Sequence, residues 1–549
     1  MTPMHGHAVR MPRTPAPLRP ALLAIACVVG LAGLTSPSLA QEGRLPDMGS
    51  SAGRVLSPVE QQGYGAMMLS QLRHYGYTLE DPLIAQWLQG MGQRLGAASD
   101  RPEQPFTFFM MRDRSINAFA TLGGYVGMNA GLVLAAESED EVAGVLGHEI
   151  AHVTQTHVLR AVERAQRDSI PILLGMLGAI LVAQKAGGGG NSSGNATMAA
   201  VMGAQGLMVQ RQIDYTRSNE SEADRLGIRT LARSGYDPKA MAVMFERMQA
   251  ATRVNRGSEE NRAPDYLLTH PVTTVRIAEA KERASRVEVT PFSKGAFARS
   301  ENPLLPGNLQ VEIARTGGGT GEFDWARERL RALSANTPKA AIAEYEQFGR
   351  HGKLTDAQRY GLAVAQLQDG QGAAAQMTLA PLLPAHSGDR WIQLAMAEAH
   401  ARAGDRAGAD ERFAQLHARL PNDRAVAITW AKLLSERNNA EAGRKALDIL
   451  RPLLGSAGTD PSFQQVFARA NEIAGDPVRA GEAYAEAEYL NGNPERALLQ
   501  LNTLRKRPDL DYYARARIDA RIAAITPTVE ELRRQGIRDM DEERQARGN

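Results

Sequence analysis

The chain has 549 residues, too many for one hydrophobic core, and its 43% hydrophobic and 23% charged side chains are those of a folded protein of two or three domains. A net charge of +2 gives no basic excess of the kind that nucleic-acid binding requires. Aromatic side chains at 5% favour alanine-rich helices over sheet sandwiches, so a mainly α fold with a small β-sheet is expected.

Arg10, Arg13 and Arg19 precede an apolar run from Ala21 to Leu34, and Ser38-Leu39-Ala40 supplies a small-x-small cleavage pattern. Residues 1–40 thus read as a secretory signal peptide, cleaved after Ala40, because the run is shorter than the roughly 20 residues of a spanning helix. They contain three arginines and no acid, so the remainder carries 60 basic and 61 acidic side chains, a net charge of −1. The single cysteine, Cys27, leaves with the signal. A cysteine-free exported chain owes its rigidity to packing or to a metal, and the expected compartment is the bacterial periplasm.

Apolar spacing between Pro58 and Gly96 predicts two helices. Phe106–Met111 is the best strand candidate and Gly123–Met128 a second, with Ser115–Thr121 between them. Ser138 with Glu141 three residues on fits a capping box, and Glu139, Asp140 and Glu141 then lie at the positive end of a helix that carries GHEIAHVTQTH.

On that helix His148 and His152 point the same way within about 40° and can share one ion. Glu149 lies between them, placed to act on a water as general base, the arrangement of H-E-x-x-H zinc hydrolases. His157 falls about 180° round from His148 while the helix stays intact, so it faces away and the third ligand comes from elsewhere. Metzincins use a histidine ten residues after the first, with a glycine between. Here Val158 and Gln155 occupy those places, which excludes that class.

Ile170–Ala183 is an apolar segment of fourteen residues followed by a glycine-rich tract, Ala186–Ala196. It reads as a buried helix, or as a lid or membrane-facing patch making a peripheral membrane contact. In NESEADRLG, residues 219–227, Glu220, Ala223, Asp224 and Gly227 share a face within about 60°. Two carboxylates and two small residues together suit a close approach to the histidine helix, and Glu220 is the better ligand. Asp224 is placed to hydrogen-bond a ligating histidine or to transfer a proton. Glu222, about 200° away, is expected to face solvent or pair with Arg225 or Arg229.

Pro291, Pro303, Pro306 and Gly317–Gly319 mark a boundary. Beyond it Gly370, Gly404 and Asn438 recur at intervals of 34 residues, with Gly475 following, which is the period of tetratricopeptide repeats. The expected domains are the signal (1–40), a metalloprotease domain (41–286), a linker (287–323), a repeat solenoid (324–526) and a C-terminal tail (527–549).

HEIAH followed by ESEAD resembles the HtpX and CAAX-prenyl-endopeptidase family of zinc metallopeptidases, whose pattern is H-E-x-x-H followed by E-x-x-A-D. The resemblance implies a gluzincin-type domain with one Zn2+ per subunit held by His148, His152 and Glu220, Glu149 as general base and Asp224 as proton donor. LLTHPVTTVRI, residues 267–277, resembles the H-P-x-x-x-x-R segment of soluble members. His270 and Arg276 are both suited to stabilise the oxyanion; alternatively His270 caps the zinc at rest. The integral-membrane members carry several spanning helices and this chain has none after its signal, so prenylated substrates are not expected.

The resemblance extends to exported members with C-terminal repeats and implies cleavage of unfolded or misassembled envelope proteins, with the repeats meeting the outer-membrane β-barrel assembly machinery. An extended substrate would add as a strand beside the glycine-rich strand at Tyr125. The alternative is a repeat-based chaperone or scaffold whose metal site is structural or silenced.

Overall fold

The computed structural model describes residues 56–164, 217–254, 266, 270–287 and 319–534. The expected signal peptide, Ile170–Ala183 with its glycine tract, and most of the linker lie outside these residues. Among the described residues no helix is long and apolar enough to cross a membrane.

Two helices open the described chain, Pro58–His74 (α1) and Pro82–Ala97 (α2), capped by Ser57 and Asp81. Proline at the first helical position of each removes an amide that has no intrahelical partner. Strands Thr107–Met111 (β1), Ala118–Ala120 (β2) and Tyr125–Asn129 (β3) form a sheet ordered β1-β3-β2. β3 runs parallel to β1 with Phe109 opposite Gly127, and antiparallel to β2 with Phe119 opposite the same glycine. The strand at Tyr125 is therefore central rather than an edge, which corrects the expected docking position. Both of its ladders are already used, because Ala118–Ala120, within the Ser115–Thr121 stretch, pairs back onto it.

Short helix Ala130–Ala135 (α3) leads to Glu139–Thr154 (α4), followed by His157–Arg164 (α5), Arg217–Arg233 (α6), Ala240–Val254 (α7) and Thr274–Arg286 (α8). Helix α4 is buried on nearly all sides, with Val142, Val145, Leu146 and Ile150 in the core.

From Phe323 helices follow one another through short turns, each packed on the next as in a repeat protein. Gly370, Gly404, Asn438 and Gly475 take φ of 76°, 91°, 53° and 91°. The residues picked out by the 34-residue period are thus the left-handed turn positions, where glycine or asparagine meets the least steric cost. The last described helix, Tyr512–Arg534, runs across residue 527, where a tail was expected to begin.

Contrary to the expectation from chain length, the helices from Phe323 onward and the elements before them share one continuous core, from Leu83 and Trp87 through Trp325, Tyr360 and Trp391. Arg329 makes a two-pronged ion pair with Asp81 at 2.8 and 2.7 Å. Gln86 accepts a hydrogen bond from the backbone of Ala425 at 3.2 Å. Arg112 donates to the carbonyl of Leu333 and Arg114 to the Ser334 hydroxyl, at the C-terminal end of helix Phe323–Leu333, where cations are stabilised.

Candidate metal centre

Helix α4 begins as the capping pattern predicts, with the Ser138 hydroxyl accepting from the Glu141 amide at 3.3 Å. The Glu141 carboxylate accepts from Arg247 at 2.9 Å rather than closing the box onto Ser138. Helix α6 crosses α4 at its histidines. A Cβ built on Gly227 would lie 2.7 Å from Met241 Cε, 3.0 Å from the His148 nitrogen and 3.1 Å from the Gly147 carbonyl carbon. A side-chain carbon there would crowd the backbone of α4 at Gly147 and His148 and displace Met241, so the small face of NESEADRLG lets its acids approach the histidines. Gly227→Ala is expected to destabilise the protein by roughly 1–3 kcal/mol through overpacking and to weaken metal retention. Gly90→Ala, with nothing within 4 Å, should do neither; thermal unfolding and metal content of both variants check this.

The approach assembles four donors. His148, His152, Glu220 and His270 are all buried and each offers a ligand atom within 4.8 Å of the others. His148 Nε2 and His152 Nε2 are 3.0 Å apart, and each is 3.5 Å from a Glu220 oxygen. His270 Nδ1 lies 3.0 and 3.2 Å from the two Glu220 oxygens and 3.5 Å from His148 Nε2. Its backbone amide donates to the Tyr266 carbonyl at 2.7 Å, and its ring stacks on Tyr266 with centroids 4.8 Å apart.

Glu149 is 1% exposed, and its Oε1 accepts no hydrogen bond among the described residues; His270 Nε2 is 3.8 Å from it. Asp224 Oδ1 lies 2.9 Å from the outward nitrogen of His148, Nδ1. Arg276 holds Asp224 with two nitrogens at 2.9 and 2.8 Å and reaches Glu220 and the Pro271 carbonyl with the third, at 2.8 and 3.0 Å.

These contacts set the charges. Burial disfavours a charged His148, but Asp224 and Glu220 beside it push its pKa up to about 9. His152 moves the other way, held well below the ordinary histidine range by burial and by the neighbouring imidazoles. Burial opposes ionisation of Glu220 and Asp224 too. His270 and His148 nevertheless hold Glu220 well below the usual carboxylate range, and His148 and Arg276 lower Asp224.

His157 departs from expectation. The helix that would turn it away ends at Thr154, Thr156 adopts φ 55°, and a new helix starts at His157. The ring comes back, with Nδ1 2.9 Å from His152 Nδ1 and Nε2 3.2 Å from Glu222 Oε2. It stays outside the four-donor group, as expected, but touches a member of it. Glu222 is partly exposed and lies 3.9 Å from Arg225, as foreseen, while its shorter contact is to His157. Tyr266 carried no signal in the sequence. The polar run Thr154-Gln155-Thr156 before His157 was the only hint of a helix break.

The donor set fits a zinc-type ion. It comprises imidazoles and a carboxylate with convergent atoms, two rings whose far nitrogens lie 2.9 Å from Asp224 and from His157, and one adjacent acid, Glu149, whose Oε1 accepts no hydrogen bond among the described residues.

Comparison with known proteins agrees with this chemistry. The model of peptidase family M48 matches residues 82–284. A Vibrio cholerae protein is 32% identical over 494 residues, covering 88% of this chain and 93% of its own length. The beta-barrel assembly-enhancing protease of Escherichia coli strain K12 is 30% identical over 499 residues, covering 89% and 93%. The mitochondrial metalloendopeptidase OMA1 of Schizosaccharomyces pombe is 25% identical over 197 residues, 36% of this chain and 52% of the relative. With a donor cluster built from HEIAH and ESEAD, and full-length relatives at this level of identity, the chain belongs to peptidase family M48 and is a metallopeptidase.

Proposed function

We propose that this chain is a zinc-dependent endopeptidase of the bacterial periplasm, which degrades misfolded or stalled envelope proteins and so supports assembly and quality control of outer-membrane β-barrel proteins. The observation that carries it is the convergence of His148, His152 and Glu220 beside a buried Glu149 whose Oε1 accepts no hydrogen bond among the described residues. The signal-like residues 1–40, the 34-residue period read as tetratricopeptide repeats, and the names of the full-length relatives support the compartment and the substrate class.

Zinc held by His148, His152 and Glu220 would supply Lewis acidity that polarises a peptide carbonyl and acidifies a water. Glu149 takes the proton from the attacking water and hands it to the leaving amine. Asp224 orients His148, and Arg276, whose three nitrogens are engaged by Asp224, Glu220 and Pro271, fixes both acids instead of reaching for the oxyanion. His270, placed among the donors, suits the capping role of a resting state, from which it withdraws when substrate arrives. Ala118–Ala120, the outer strand on that side of the sheet, offers the edge for an extended substrate. The repeats offer a surface for the barrel assembly machinery.

Cleavage of a denatured β-barrel protein by the purified chain should stop with a strong chelator and return with zinc at one equivalent per chain. Undiminished cleavage after complete metal removal would overturn the proposal. Absence of cleavage, with assembly still supported in cells by a metal-free chain, would favour the scaffold alternative.

A further inference from the structure

We propose that His157 is a positioning residue for His152, the middle member of a chain Glu222–His157–His152 that fixes which nitrogen of the His152 ring carries the proton; this deepens the zinc-peptidase proposal and rests on it. His152 turns Nε2 towards the donor group, 3.0 Å from His148 Nε2 and 3.5 Å from Glu220. A lone pair there requires the proton on Nδ1. That nitrogen lies 2.9 Å from His157 Nδ1, and two ring nitrogens at this distance need one donor and one acceptor.

Only one direction satisfies every atom. If His152 Nδ1 donates, His157 Nδ1 accepts, and the His157 proton sits on Nε2, 3.2 Å from the Glu222 carboxylate. In the reverse direction the lone pair of His157 Nε2 would face a carboxylate, and the His152 proton would point into the donor group. Glu222 thus polarises the pair outward to inward.

The arrangement explains two features that otherwise have no purpose. Helix α6 supplies three acids within five residues: Glu220 reaches the centre, Asp224 backs His148 directly at 2.9 Å, and Glu222 lies too far round to touch a ligand. An imidazole bridges that gap. Its placement requires the chain to leave the helix after Thr154 and to hold Thr156, a β-branched residue, at φ 55°. His152 therefore receives, through His157, the carboxylate support that His148 receives from Asp224.

The test is the rate at which the zinc-loaded full-length chain loses its metal to an excess of coloured chelator, with the melting temperature of the metal-free form measured alongside. His157→Ala should release zinc roughly 10–100-fold faster, the usual cost of losing an outer partner of a ligand. The metal-free melting temperature should stay within a few degrees of wild type. His157→Asn, whose side-chain oxygen can still accept from His152, should recover most of the loss. Glu222→Ala should have a smaller effect that vanishes in the His157→Ala background. Wild-type release rates in His157→Ala, or in the partly exposed Glu222→Ala should His157→Ala fail to fold, would overturn the inference while leaving the zinc-peptidase proposal standing. A wild-type chain that holds no zinc would overturn both.

Discussion

Glu149→Gln is expected to keep its metal and to lower peptide-bond cleavage by roughly 10²–10⁴-fold, the range for loss of a general base. The substitution is nearly isosteric, so the buried pocket is retained, and Glu149 is not among the four convergent donors. What is lost is the ability to accept a proton. A buried carboxylate oxygen with no hydrogen-bond partner among the described residues costs free energy, so its retention needs a purpose. A purely structural metal site has no need of such an oxygen beside it. Single-turnover cleavage of a denatured barrel protein, with metal content measured on the same preparation, decides the matter. Equal rates for variant and wild type would refute a catalytic role for Glu149.

Glu220→Ala should have the largest effect on metal binding, exceeding the roughly 10–100-fold cost of removing a supporting partner. It removes the only carboxylate in the donor group and leaves Arg276, whose guanidinium lies 2.8 Å from that carboxylate, facing three imidazoles. Glu222→Ala, two residues away, keeps the donor group whole and should lower affinity only modestly. Competition against a chelator of known affinity separates the two. Zinc retained in Glu220→Ala but lost in Glu222→Ala would reverse the ligand assignment.

Most of the donor group was legible from helical geometry. His148 and His152 at i and i+4 had to share a face, and Glu220 could be distinguished from Glu222 because only Glu220 lies on the face with Ala223 and Gly227. Those small residues mattered because close helix contact is a steric requirement, and Gly227 meets it against Gly147 and the His148 nitrogen. The repeat turns were legible for a similar reason, since left-handed backbone selects glycine and asparagine at a fixed interval.

The proposed ligands and base, and the turn positions, could be read along the chain, because each follows from local periodicity or from a local backbone requirement. The remaining features depend on contacts between distant segments. That β3 is the central strand depends on which strands pair, and Ala118–Ala120 is too short to announce itself. That Arg276 clamps Asp224 and Glu220, and that His270 joins the donors, depends on three helices converging from distant parts of the chain. His157 shows the limit most sharply. Extrapolating an unbroken helix sent it away from the site, and one residue in an unfavourable backbone region, Thr156 at φ 55°, brought it back. Such strain is held in place by the packing around it, so the local sequence does not display it.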